Sequence, residues 1–210
     1  MQFSPTRFNA HLSGMGHDLG WRRSYACPCV NPSSGQPNPA HAACGGKGRQ
    51  WDAEIVCRIG FQGQSARKGM ADFGVWEPGD AVLTIGSDQA CYNAGRFDRF
   101  RSLSSTHTFT DNLRRSYTDR LNGTIISVDR VFWLDANGNN VAGDIPSVDP
   151  ATGALTWASG APPAGVVYSI SGTRYDEYFA YLDLPQNRPL NAGAALPKKL
   201  PVRRFDLFGR

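Results

Sequence analysis

From Trp51 onward, turn-forming residues interrupt the chain every ~8–12 residues, which leaves room for short β-strands and little else. The clearest breaks are Glu77-Pro78-Gly79-Asp80, Asp149-Pro150-Ala151-Thr152-Gly153 and Ala161-Pro162-Pro163-Ala164-Gly165. Each has a physical cause: proline fixes φ and lacks a donor, glycine reaches φ > 0, and Asp or Asn side chains bond their own backbone. The chain holds 23 Gly and 14 Pro, with only 19% of residues charged, a balance that suits turns and strands better than long helices.

The segments between the breaks carry strand chemistry. Asp52 to Ile59 alternates, with Ile55, Cys57 and Ile59 expected on its inward face. Further strands are expected at 81–86, 97–103, 106–110, 124–128, 130–134, 154–157, 166–172 and 175–182, and 112–118 is expected to be irregular. Asp135-Ala136-Asn137-Gly138-Asn139-Asn140 is expected to close a hairpin onto Val141. Before this β-rich region, Ser4-Pro5 reads as an N-cap with proline at the first helical position, so a helix is expected over about residues 5–12. Gly14, Gly16 and Gly20 are expected to loosen the chain before Trp21. The fold class that follows is mainly β, an antiparallel barrel or sandwich. Its expected divisions are an N-terminal segment 1–50, a body 51–184 and an extended C-terminal arm 185–210.

The N-terminal segment carries the sharpest chemical signal. Cys27-Pro28-Cys29 is followed, after eleven residues, by His41-Ala42-Ala43-Cys44 and Gly45-Gly46-Lys47-Gly48. Cys27, Cys29, His41 and Cys44 make a candidate tetrahedral zinc site of Cys3His type. The loop between the pairs, rich in Pro, Ser, Asn and Gly, has almost nothing apolar to bury and needs an external staple. Gly45 and Gly46 can turn the backbone behind the second pair at φ > 0. The first pair, one residue apart, is tighter than the usual knuckle. Two other readings stand beside zinc: reduced structural cysteines that never meet the histidine, and disulfides. The cysteine count is odd, five, and the first residues have no apolar run of a secretory signal, so the chain is expected to be cytosolic when made. Cys57 reads as a small buried hydrophobe.

Net charge is a mild +4, unevenly placed. Arg22, Arg23, Lys47 and Arg49 surround the candidate metal pairs, and Lys198, Lys199, Arg203, Arg204 and Arg210 crowd the C-terminus. Such clusters suit nucleic acid or an acidic protein surface. Phe205, Leu207 and Phe208 are expected either to tuck against the chain's own core or to anchor in a neighbour. No apolar run approaches the roughly 18–20 residues of a membrane span. The chain has no phosphate-binding loop, nucleophile elbow or His-Glu-x-x-His motif, and His11, His17 and His107 have no motif partner. The expectation is a protein that is not an enzyme.

Several stretches together resemble tailed-bacteriophage virion proteins. They are Trp21-Arg22-Arg23-Ser24-Tyr25-Ala26-Cys27-Pro28-Cys29 with the Cys/His pair behind it, Gly79-Asp80-Ala81-Val82-Leu83-Thr84-Ile85 and Phe97-Asp98-Arg99-Phe100. Val131-Phe132-Trp133-Leu134-Asp135, Tyr175-Asp176-Glu177-Tyr178-Phe179 and the ending from Leu196-Pro197-Lys198-Lys199 to Phe208 fit the same group. In that group the usual knuckle is two Cys pairs, and His41 stands here at the third position. The resemblance implies a neck component, a head–tail connector or head-closure protein, present in the virion and in host cytoplasm during assembly. Its implied partners are copies of itself in a ring, portal or adaptor and tail proteins, and passing DNA without sequence readout. The loop 60–74, with Arg67 and Lys68, is the expected channel-facing element, and Lys198, Lys199, Arg203, Arg204, Phe205, Leu207 and Phe208 the expected partner contacts. A tail or collar protein is the alternative within that class, and a zinc-dependent nucleic-acid-binding module the alternative outside it.

Overall fold

The computed structural model describes residues 4–63, 79–117, 119–183, 189–191 and 193–208. The chain forms two compact units: unit 1 is Met1–Ser104 with Glu177–Arg210, and unit 2 is Ser105–Asp176. This division replaces the expected sequential one, because the chain leaves the first unit and returns to it.

Unit 1 opens with helix α1 (Pro5–Met15), slightly longer than expected. Ser4 caps it by accepting the Arg7 N–H at 3.4 Å, and the Gly16 N–H closes it on the Leu12 carbonyl. Leu12 is its buried residue, and it packs over Gly60, where an added Cβ would come within 3.0 Å of the leucine Cδ2. The strands that follow are β1 (His17–Arg22), β2 (Ser24–Ala26), β3 (Arg49–Trp51), β4 (Ile55–Gln62), β5 (Ala81–Ile85) and the start of β6 (Arg99–Arg114). The chain re-enters unit 1 on the end of β11 (Val167–Ala180) and continues through β12 (Leu190–Asn191), β13 (Ala194–Ala195) and β14 (Lys198–Arg204).

Six of these strands close on themselves in the order β6-β1-β4-β5-β14-β11, with β11 returning beside β6. At the closure the Phe97 N–H donates to the Ala180 carbonyl and the Ala180 N–H to the Asp98 carbonyl. Each pairing of known register is antiparallel, and an even number of strands lets the ring close without a parallel seam. The result is a small antiparallel barrel. Leu19, Cys57, Ile59, Leu83, Ile85, Cys91, Phe100, Leu200 and Val202 fill its interior. Cys57 and Ile59 face inward as expected, whereas Ile55 lies 47% exposed. The glycine-punctuated stretch after α1 is not loose: β1 is a barrel strand between β4 and β6, with Leu19 and Trp21 buried.

The C-terminal segment is extended but is no free arm. β14 pairs with β5 over Lys198–Val202 and with β11 over Val202–Arg204, so it is a stave of the barrel.

Unit 2 contains the rest of β6, β7 (Ile125–Leu134), β8 (Asn140–Ala142), β9 (Ser147–Val148), β10 (Leu155–Thr156) and the start of β11. Its main sheet runs β6-β11-β7-β8, and β9 and β10 form a small ribbon. Its own core is Phe109, Leu121, Val131, Leu155, Tyr168 and Ile170. Here strands expected to be short prove long. The two expected at 166–172 and 175–182 are one, and Gly172 marks a register shift at which a Cβ would lie 2.1 Å from the Ser127 carbonyl oxygen. The hairpin from β7 to β8 through Asp135 forms as expected.

Candidate metal centre

The ribbon β2–β3 carries the site at its far end. Ser24 pairs with Trp51 and Ala26 with Arg49, so Cys27 and Gly48 leave the ribbon opposite each other, with the Cys27 N–H donating to the Gly48 carbonyl. The residues between them fold into two tight turns. In the first, the Val30 N–H bonds back to the Cys27 carbonyl. In the second, Ala42–Cys44 makes one 3-10 turn and the Gly46 N–H returns to the His41 carbonyl. Gly45 and Gly46 take the expected left-handed conformations, at φ 58° and 75°. At Gly46 a Cβ would also sit 2.7 Å from the Pro39 carbonyl oxygen.

These turns bring the four candidate ligands together, with their donor atoms all within 4.8 Å of one another. Cys27 Sγ lies 3.5 Å and Cys44 Sγ 3.4 Å from His41 Nδ1, and Cys29 Sγ lies 3.5 Å from Cys44 Sγ. A tetrahedral ion with ligands at roughly 2.0–2.3 Å has donor–donor edges of about 3.3–3.8 Å, so the cluster fits a four-coordinate metal. All five cysteines are free thiols. Cys27 and Cys44 are buried, while Cys29 and His41 are half-buried.

The surroundings favour thiolate. Desolvation opposes ionisation of Cys44, but hydrogen bonds from His41, the Gly48 backbone and the neighbouring thiols outweigh it and lower its pKa to about 6. Desolvation and the Cys27 thiol raise Cys29 to about 11, as expected where several thiols share one site and one ionises first. Gln50 reaches Cys27 Sγ with Nε2 at 3.7 Å, an outer contact that no motif marks in advance.

The root of the ribbon is pinned to the barrel by Asp98, a buried carboxylate. It accepts from Trp21 Nε1 at 2.9 Å, from the Ser24 N–H at 2.8 Å and from the Gly95 N–H at 3.1 Å. On the other strand, Trp51 Nε1 donates to the Phe97 carbonyl, and its ring meets Phe205 and Phe208 edge-on. Arg99 lies 3.8 Å above the Phe205 ring and forms a buried ion pair with Glu177 at 2.6 Å. The C-terminal aromatics thus seat the metal ribbon.

Most of the expected partner contacts are accordingly engaged within the chain. Lys198 donates to the Ala94 carbonyl and pairs with Asp183. Arg203 forks onto Asp80 at 3.0 and 2.9 Å, and Arg204 onto Asp206. Phe205 and Phe208 are buried, Leu207 is half-buried and Lys199 is exposed. Of the two expectations for this segment, packing on its own core is the one realised. Arg67 and Lys68 lie outside the described residues.

His107, which has no motif partner in the sequence, is held in unit 2 by Asp176 and Arg174. Nδ1 lies 2.6 Å from Asp176 Oδ1, and Arg174 Nε donates to Nε2 at 3.1 Å. A guanidinium only donates, so Nε2 accepts and the ring proton sits on Nδ1 facing Asp176. With both nitrogens engaged, this imidazole is a strut between strands. Only the strand pairing brings these residues together, across a separation of 69 positions.

No helix among the described residues is long and apolar enough to cross a membrane. The chain matches no protein-family model, and no curated protein is similar enough to it to serve as a relative.

Proposed function

We propose that the protein is a non-enzymatic structural component of a tailed-phage virion, a ring-forming head–tail connector or head-closure subunit in which zinc staples the 27–48 loop to a barrel. The observation that carries this reading is the set Cys27, Cys29, His41 and Cys44, whose donor atoms lie within 4.8 Å of one another and would supply all four ligands of a tetrahedral ion. Four protein ligands leave no open position for a substrate or an activated water, which favours a structural ion over a catalytic one. Three thiols and an imidazole suit zinc and disfavour magnesium or calcium.

Assembly as the function is supported by what the fold leaves outside. A closed barrel has no free edge strand, so lateral contacts fall to loops, ribbons and exposed apolar side chains. Val56 on the barrel and Tyr117, Leu134, Ile145 and Val167 of unit 2 are 52–73% exposed. In a ring, such residues would repeat one heterologous interface around a closed symmetry. The resemblance of the motifs to virion neck proteins supplies the biological setting.

Mass photometry across a concentration series, with negative-stain imaging, tests the assembly reading. Rings that grow in with concentration are expected, and a monomer at every concentration excludes a self-assembling neck subunit. Elemental analysis of freshly purified, reduced protein tests the ion, with about one zinc per chain expected for one closed site.

A further inference from the structure

A cleft of about 880 Å³ opens in unit 1 between the metal loop and the barrel. Pro37 and Gly46–Arg49 form one wall, and Arg96, Phe97, Tyr181 and Phe208 line the other. Its lining includes four cationic residues, Lys47, Arg49, Arg96 and Arg203, and no carboxylate among the described residues. Two of the four already serve the fold or have a partner, as Arg203 does with Asp80.

Arg49 and Arg96 are different. Their guanidinium carbons lie 4.1 and 4.6 Å from the centroid of the same ring, Phe97, and neither guanidinium has an ion pair or hydrogen bond among the described residues. Burial, then repulsion from Arg96, lowers the Arg49 pKa, so the two charges oppose each other. Phe97, the ring they share, has φ 73°, a left-handed conformation that is strained for an aromatic residue. Its backbone is held there by the Ala180 carbonyl and by Trp51. A ring against a guanidinium covers one face of it and leaves N–H donors for a ligand. Two such groups on one ring, in a cleft whose described lining carries no carboxylate, suit a multiply charged oxyanion.

We infer that this cleft binds a phosphate-bearing ligand of nucleotide size, with Arg49 and Arg96 as its phosphate ligands and the metal loop as one wall. The volume fits small-molecule sites, commonly about 300–1,000 Å³. Phosphate is the shared chemistry of two sources, a free nucleoside triphosphate and the backbone of a nucleic-acid strand. Ring formation is measured separately, so phosphate binding and the neck reading can each fail alone.

The test is calorimetry with ATP and fluorescence anisotropy with a short labelled oligothymidylate, on the metal-replete full chain. Binding of ATP alone assigns the free nucleotide, and binding of the oligonucleotide, with or without ATP, assigns the strand. In either case the double variant R49Q/R96Q is expected to bind about tenfold or more weakly, since charge-assisted hydrogen bonds are lost. R23Q, which removes an arginine that stacks on Tyr25 and does not line the cleft, is expected to bind as the wild type does. Should the double variant fail to fold, R96Q alone serves, because that side chain is exposed. No binding of either probe, an unchanged affinity in the arginine variants, or an equal loss in R23Q overturns the proposal.

Discussion

Cys44 and Glu54 show how single side chains in this protein act through charge. The Cys44 thiol, lowered to about 6, is poised to be a metal ligand at neutral pH. Replacing it with alanine opens the tetrahedron and leaves the 27–48 loop, which has little apolar surface, without its staple. C44A is expected to purify without metal and to be cleaved by protease within that loop while its far-UV circular dichroism stays that of the wild type. Glu54 accepts from Arg101 at 2.6 and 2.9 Å and lies 3.5 Å from Arg22. The hydrogen bond from Arg101 holds its carboxyl below the usual range. A folded pKa below the unfolded one adds stability that is fully present above the unfolded value, about 4.3, and is lost as pH falls through the folded value. Urea midpoints against pH are therefore expected to fall more steeply below about pH 4.5 in the wild type than in E54Q, which is the less stable of the two at neutral pH.

Among the elements, the ribbon β2–β3 and the C-terminal turn depend on each other. Phe205 is buried to 1% exposure, carries Arg99 on its face and stacks on Phe208, with Trp51 edge-on to both. F205A is expected to cost about 3–5 kcal/mol, the usual range for a large aromatic removed from a core. A matching shift in the denaturation midpoint checks it. The variant also removes the seat of the metal ribbon, so faster loss of metal to a chelator is expected alongside. That the aromatic ending was a functional or packing element could be read from Phe205-Asp206-Leu207-Phe208, but which of the two could not. Such residues look alike in sequence whether they pack on their own core or on a neighbour.

For the whole molecule, closure of the barrel rests on β14, which reaches unit 1 last and bonds to β5 on one side and β11 on the other. Deleting residues 198–210 would expose two strand edges and remove Leu200, Val202 and Phe205 from the interior. No cooperative thermal transition, and loss of the near-UV circular dichroism signal, are the expected result. The β character, the capped helix, the hairpin turn at Asp135 and the four residues that cluster as the candidate metal centre were all legible in the sequence. These are local properties: strand alternation, turn chemistry and ligand spacing are written within a few residues of one another. Tertiary structure alone decided that β1 is a barrel stave despite its glycine, that Gly172 shifts a register and does not end a strand, and that the C-terminal segment closes a barrel. It alone set His107 between Asp176 and Arg174, and Arg49 and Arg96 against one ring, that of Phe97. Those outcomes depend on which strands lie side by side, and that is set by burial summed over the whole core, a quantity that no short window of the chain contains.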